Sequence, residues 1–173
     1  MHNETSWQAN AAIDNTPQLS LDVFFKSACE QKTHIQATHT TVKRAQNIFD
    51  NEATIAPAQC THIVNSMEKM SEPLQKLSSL LETSVYTQQA VSPFRHSLLI
   101  QLRSTNKRLD KLVELITNFS FAYLKSSPQA NTQKSKILHE LILLEQDSEI
   151  LLKCIDFLYD RVLLEEKRRI RRR

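Results

Sequence analysis

The chain has 173 residues, of which 40% are hydrophobic and 24% are charged, and its net charge is +3. It contains no glycine, whereas average usage is about 7%. Glycine is the usual residue of hairpin turns and phosphate-binding loops. Its absence excludes the Walker loop, the dinucleotide fingerprint and the nucleophile elbow, and it favours helices over sheets.

The first 18 residues are mostly small or polar and are predicted to form a flexible arm. They lack the basic start and apolar stretch of a signal peptide, and no apolar run approaches the roughly 20 residues of a membrane-spanning helix. The three cysteines, Cys29, Cys60 and Cys154, are far apart, which argues against a disulfide framework or a zinc knuckle. We therefore expect a cytoplasmic protein without a membrane span.

Hydrophobic residues at alternating spacings of three and four predict two helices in the first half of the chain. One stripe runs from Leu21 to Phe49 and predicts a helix over about Ser20 to Asn51. Another runs from Cys60 to Ser84 in a helix that opens near Pro57, since the missing N–H of proline is harmless in a first turn. Pro73 interrupts the backbone hydrogen bonding of this second helix, which is therefore expected to be kinked or broken there.

Two further helices are predicted in the second half. Ser92 and Pro93 are typical of an N-cap and a first helical position, and the stripe from Leu98 to Tyr123 follows them. After a linker over Ser126 to Asn131, a stripe from Ile137 to Val162 predicts the fourth helix. Short connections between long amphipathic helices predict an all-α fold, an antiparallel up-down-up-down four-helix bundle.

The bundle is expected to be one domain over residues 19–167, between the arm of residues 1–18 and a basic C-terminal tail of residues 168–173. Two helical lobes hinged at Pro73 or Pro128 are the alternative architecture.

Positive charge is concentrated in two places. Seven of the 22 basic residues lie in the last thirteen positions with two acidic ones, a net +5, whereas the rest of the chain is about −2. The other cluster is on predicted helix three, where Arg103, Lys107 and Lys111 are four apart and share one face. Helix three of such a bundle begins where helix four ends, so the clusters are predicted to form a single basic pole. The candidate contact residues are Arg95, Arg103, Lys107, Arg108, Lys111, Arg161, Lys167, Arg168, Arg169 and Arg171.

A basic pole would attract nucleic-acid phosphates, an acidic protein partner or anionic lipid headgroups. The same arginines would also stabilise the end of helix four by opposing its dipole, without binding any partner.

The sequence predicts no catalytic residue, no metal site and no cofactor. No glutamate has a histidine three residues later, the spacing that di-iron bundles require, and Glu30 and His34 are expected to form a surface pair. The remaining histidines on the predicted helices lack ligand spacing: His39, His62, His96 and His139. We therefore expect a non-enzymatic protein.

Short segments over most of the chain carry a likeness to a known family. They are the repeat from Leu21 to Gln31 leading to Ile48-Phe49-Asp50, the Gln88-Gln89 pair with the stretch from Leu98 to Leu102, and Leu138-His139-Glu140 followed by Glu145, Leu152 and Lys153-Cys154. From Leu21 to about Lys167 the chain resembles the primosomal replication protein PriC family of short all-helical bacterial proteins. It departs from that family's last helix at Leu143, Leu144 and Asp147.

The resemblance implies a non-enzymatic factor that restarts stalled replication forks. Such a factor binds single-stranded DNA and single-strand-binding protein and helps to recruit the replicative helicase. Phosphate contacts from the basic residues would supply an affinity that does not depend on sequence.

The alternative function is a helical protein-interaction module with no nucleic-acid role, such as a chaperone, an adaptor or a subunit of a larger assembly. Long bundles present grooves to amphipathic partner helices. Leu143, Leu144, Leu163 and Leu164, beside the stripe of helix four, are expected to form an exposed apolar surface of this kind.

Overall fold

The computed structural model describes the backbone of residues 17–52, 54–83, 92–124 and 130–172, and the side chains of residues 21–52, 54–82, 94–120 and 130–172. This part of the chain is helical and contains no strand. Its helices are α1 (Pro17–Asn51), α2 (Pro57–Thr83), α3 (Ser92–Leu124) and α4 (Ala130–Arg171). The all-α prediction is confirmed. Apart from Pro17 and Gln18, which begin α1, the predicted arm lies outside the described residues.

Apart from the half-buried Leu21, each helix buries the described part of the stripe that the sequence predicted; the side chains of Ser84 and Tyr123 lie outside the described residues. On α4 the buried residues recur every three or four positions: Ile137, Leu141, Leu144, Ser148, Leu151, Ile155, Leu158 and Val162. At the start of α2, the backbone N–H of Ala56 donates a 2.8 Å hydrogen bond to Oε1 of Gln59, which satisfies an amide that the helix itself cannot pair. Local capping and burial of one stripe per helix together account for the elements.

The helices form a closed ring in chain order. α1 packs against α2 and α4, and α3 packs against the same two helices. The polar contacts of α1 with α4 show their direction: Lys32 pairs with Asp156, whereas Gln46, further along α1, bonds Glu145, which comes earlier on α4. One continuous core draws on all four helices. The up-down-up-down bundle is confirmed, and the two-lobe alternative is excluded.

α2 is continuous through Pro73, which is buried inside it. Met70, Leu74 and Leu77 around the proline are almost fully buried in the core. Their packing holds the backbone helical although proline removes one of its hydrogen bonds. The predicted possibility of two shorter helices in line is therefore excluded.

The helices end at different heights along the bundle. The ring centroids of Phe94 and Phe157 are 4.8 Å apart, and those of Phe25 and Tyr159 are 4.5 Å apart. The first turn of α3 therefore lies level with Phe157. Beyond Phe157, α4 continues for about another 20 Å at 1.5 Å per residue. The start of α1 lies beside this part of α4. Residues 168–171, which were predicted to belong to a separate tail, form the last turn of α4.

None of the described helices is both long and apolar enough to span a lipid bilayer.

Candidate functional site

The arginine-rich end of α4, residues 161–172 and called the α4 end from here on, carries six basic and two acidic residues. Two of its cations pair with glutamates three positions earlier: Arg168 with Glu165 at 3.0 Å and Arg169 with Glu166 at 3.9 Å. These four side chains are 20–51% exposed, so solvent screens both ion pairs and each contributes little.

The other cations of the α4 end are available to a ligand. Lys167, Arg171 and Arg172 are exposed, and Arg161 is half-buried. None of the four forms an ion pair with another described residue. A strand of phosphates can therefore approach them without first displacing an acidic side chain.

The cations in the middle of α3 lie in a different environment. Arg108 donates 2.8 Å hydrogen bonds to both Glu140 and Asp147, and Lys111 donates one of 2.8 Å to the second oxygen of Glu140. Glu140 is only 7% exposed. These four residues, called the α3–α4 ion cluster, hold two positive and two negative charges. Arg108 and Lys111, both predicted contact residues, are thus already neutralised by α4.

The ion cluster stays charged because its members stabilise one another. Burial raises the pKa of Glu140, but hydrogen bonds and the charges of Lys111 and Arg108 outweigh burial and hold the pKa below its ordinary value of 4.5. Burial lowers the pKa of Arg108, and its bonds to Asp147 and Glu140 more than reverse that effect. The cluster therefore fixes how α3 and α4 align and is poorly suited to binding phosphate.

The remaining α3 cations are spread along the helix. Arg95, next to Phe94, is half-buried, and its Nε has no hydrogen-bond partner within the described part of the chain. Nη2 of Arg103 lies 3.6 Å from Oε1 of Glu82 on α2, and Lys107 is exposed.

The predicted single basic pole is not formed. Arg103 lies nine residues beyond Phe94 towards the opposite end of the bundle, and Arg169 lies twelve residues beyond Phe157 in the other direction. With Phe94 and Phe157 level, the two arginines are about 30 Å apart along the axis. Among the α3 cations, Arg95 is the nearest to the α4 end.

An exposed aromatic ring stands at the base of the α4 end. Phe157 is 46% exposed and packs edge to face on Phe94, which holds its orientation. Arg161 follows one helical turn later, on the same side of α4. Tyr159, two residues further along α4, is half-buried and packs against Phe25. The sequence did not predict that Phe157 is exposed, because its exposure depends on where α3 begins relative to α4.

The expected leucine surface of α4 is only partly present. Leu144 is fully buried, so its predicted exposure is wrong, whereas Leu164 is 39% exposed and Leu143 and Leu163 are half-buried. Leu144 belongs to the buried stripe, which faces the core and cannot also face solvent.

Three side chains of the kinds that bind metals converge between α1 and α4. His39 lies opposite Glu145 and Glu149, and one ligand atom of each residue lies within 4.8 Å of the other two. The sequence predicted no metal site. It did contain the four-residue spacing of the two glutamates, but His39 joins them only through the alignment of two helices that are distant in the chain.

The comparisons with known proteins give no relative: no family model, curated protein or solved structure matches this chain. The resemblance to the PriC family therefore stays a prediction.

Proposed function

We propose that this protein is a non-enzymatic, DNA-binding helical bundle that contacts single-stranded DNA through the α4 end. In line with the resemblance to the PriC family, we place it in the restart of stalled replication forks, with single-strand-binding protein and the replicative helicase as its partners. The observation that carries the proposal is the group of cations at the α4 end that pair with no described acidic side chain, on a helix that is continuous with the core of the bundle.

Electrostatics and the exposed ring support a single-stranded ligand. The α4 end carries a net charge of +4, which attracts the phosphate backbone without selecting a sequence. Phe157 offers a face on which a base can stack, and Arg161 lies close enough to bind the adjoining phosphate. Stacking requires an unpaired base, so this combination favours single strands over duplex.

A protein-interaction module is the second candidate. It is favoured by apolar side chains that point outward on α3 and α4, where Ile100 is 52% exposed and Ile150 is 46% exposed. An amphipathic partner helix could bury these side chains.

The test measures how the full chain binds a fluorescent oligothymidylate as salt is varied. For single strands, the logarithm of the binding constant falls with the logarithm of salt concentration by about 0.7 per phosphate neutralised. Replacing Lys167, Arg171 and Arg172 by alanine is therefore expected to weaken binding and to reduce the magnitude of the slope by about 2.

The matched control replaces three exposed cations elsewhere on the bundle, Arg44, Lys69 and Lys153, by alanine. It removes the same charge and is expected to leave the slope close to that of the wild type. Equal losses in the two triple variants would show general attraction with no defined site. No binding at low salt would refute DNA binding and leave the protein-interaction module.

A further inference from the structure

We propose that His39, Glu145 and Glu149 form a zinc-binding site in the groove between α1 and α4. Nε2 of His39 lies 4.0 Å from Oε1 of Glu149. Glu145 and Glu149 are one turn apart on α4 and face the same side. The side chain of Glu149 is 52% exposed, so the site opens to solvent. The proposal is independent of DNA binding and concerns a different part of the surface.

The hydrogen bonds around Ser148 select the tautomer of His39 that can bind a metal. The Ser148 hydroxyl donates its one hydrogen to the backbone carbonyl of Glu145 at 2.8 Å. The 2.7 Å contact between Ser148 Oγ and His39 Nδ1 must then run from the ring nitrogen to the hydroxyl oxygen. Ser148 is fully buried, so water is not an alternative partner. Nδ1 is therefore engaged with Ser148, and Nε2, which faces the glutamates, is the ring nitrogen left to bind a metal.

This arrangement has the second layer of contacts that metal sites use. Histidine ligands commonly donate through their other ring nitrogen to a polar group, which fixes the ring. Glu145 is held in the same way, because Gln46 Nε2 donates a 2.6 Å hydrogen bond to its Oε2 and leaves Oε1 for a ligand. Gln46 is itself anchored to the carbonyl of Leu141 at 3.2 Å.

The ligand types select the ion. One imidazole and two carboxylates suit Zn²⁺ or a similar transition-metal dication, whereas Mg²⁺ and Ca²⁺ prefer oxygen ligands alone. Bonds of 2.0–2.2 Å place tetrahedral ligand atoms about 3.3 Å apart, so the present spacing needs to close by roughly an angstrom. The exposed side chain of Glu149 can supply that movement by rotation. Three protein ligands leave the fourth position to water.

Charge also favours a dication. The two carboxylates bring a charge of −2 to the groove. Lys43 faces them, with its Nζ 3.7 Å from Oε1 of Glu145. Its side chain is 57% exposed and can swing into solvent when an ion binds.

The test is isothermal titration of the full chain with ZnCl₂. We expect one Zn²⁺ per chain, and at least about tenfold weaker binding in Glu149→Gln and His39→Gln. Ser148→Ala, which removes the positioning contact but no ligand, is expected to weaken binding by about 10–100-fold. The controls Glu114→Gln and His62→Gln change exposed residues of the same types on α3 and α2 and should bind like the wild type.

Failure of the wild type to bind Zn²⁺ would overturn the proposal. Wild-type affinity in both Glu149→Gln and His39→Gln would also overturn it, since the ion would be held by other histidines. Circular dichroism checks that each variant folds. If His39→Gln does not fold, Glu149→Gln decides the question, because its side chain is half exposed.

Discussion

Removing the charge of Glu140 should destabilise the bundle. The Glu140→Gln substitution keeps the size of the side chain but leaves one acceptor oxygen where Arg108 and Lys111 now use two. The amide nitrogen that replaces the other oxygen faces a donor and cannot bond it. One of the two contacts is therefore lost, and the survivor no longer benefits from a carboxylate charge.

The size of the loss in unfolding free energy follows from how exposed Arg108 and Lys111 are. A hydrogen bond to a charged group contributes about 1.5–3 kcal/mol, which applies to Arg108 because its side chain is 22% exposed. Lys111 is 60% exposed, so its contribution falls to about 0–1 kcal/mol. Arg108 keeps its 2.8 Å bond to Asp147 and is not left unpaired. We therefore expect a loss of about 2–3 kcal/mol, which lowers the melting temperature by about 4–12 °C for a chain of this size.

Urea unfolding followed by circular dichroism measures this loss, with Glu114→Gln, an exposed glutamate of α3, as the control. A difference between Glu140→Gln and the control of less than about 0.5 kcal/mol would refute the reasoning. It would mean that the buried carboxylate loses as much on leaving water as it gains from its partners.

Three further outcomes are expected. Because the pKa of Glu140 is lowered in the folded state, its carboxylate stabilises the fold fully above pH 4.5 and loses this effect as the pH falls further. The difference in unfolding free energy between wild type and Glu140→Gln, measured in urea, should therefore shrink in acid. A difference that grows in acid would contradict the direction of the pKa shift. Phe157→Ala should weaken oligothymidylate binding by about 1–3 kcal/mol without changing the salt slope, whereas Ile150→Ala should leave the binding affinity unchanged. Equal losses of affinity in the two variants would exclude stacking on Phe157. Leu144→Ala should cost about 2–5 kcal/mol of unfolding free energy and Leu164→Ala less than about 1 kcal/mol, and comparable losses would contradict their different burial.

Hydrophobic spacing was sufficient to predict the helices, because each must bury one stripe and the stripes are visible in the sequence. The predicted start at Pro57 is the observed start of α2. The effect of Pro73 was harder to predict, since local propensity opposes a helix there and tertiary packing supports one. The continuation of α4 through Arg171 was missed because a run of like charges is also typical of a solvated tail.

The contacts between helices could not be predicted at the level of single residues. A stripe shows which side of a helix faces the core, but not how far one helix is shifted along its neighbour. That shift places two predicted contact residues, Arg108 and Lys111, against acidic side chains of α4. It also brings His39 to Ser148. The charge of the α4 end, in contrast, was predictable because it depends on local sequence alone.

The helical form of the α4 end bears on the shape of the ligand that it can hold. Successive side chains of a helix are rotated by about 100°, so the five cations from Lys167 to Arg172 project in different directions around the axis. A stiff, straight polyanion lying along one side would reach only some of them. A flexible one can wind around the helix and reach them in turn, so the α4 end would select its ligand by how easily that ligand bends.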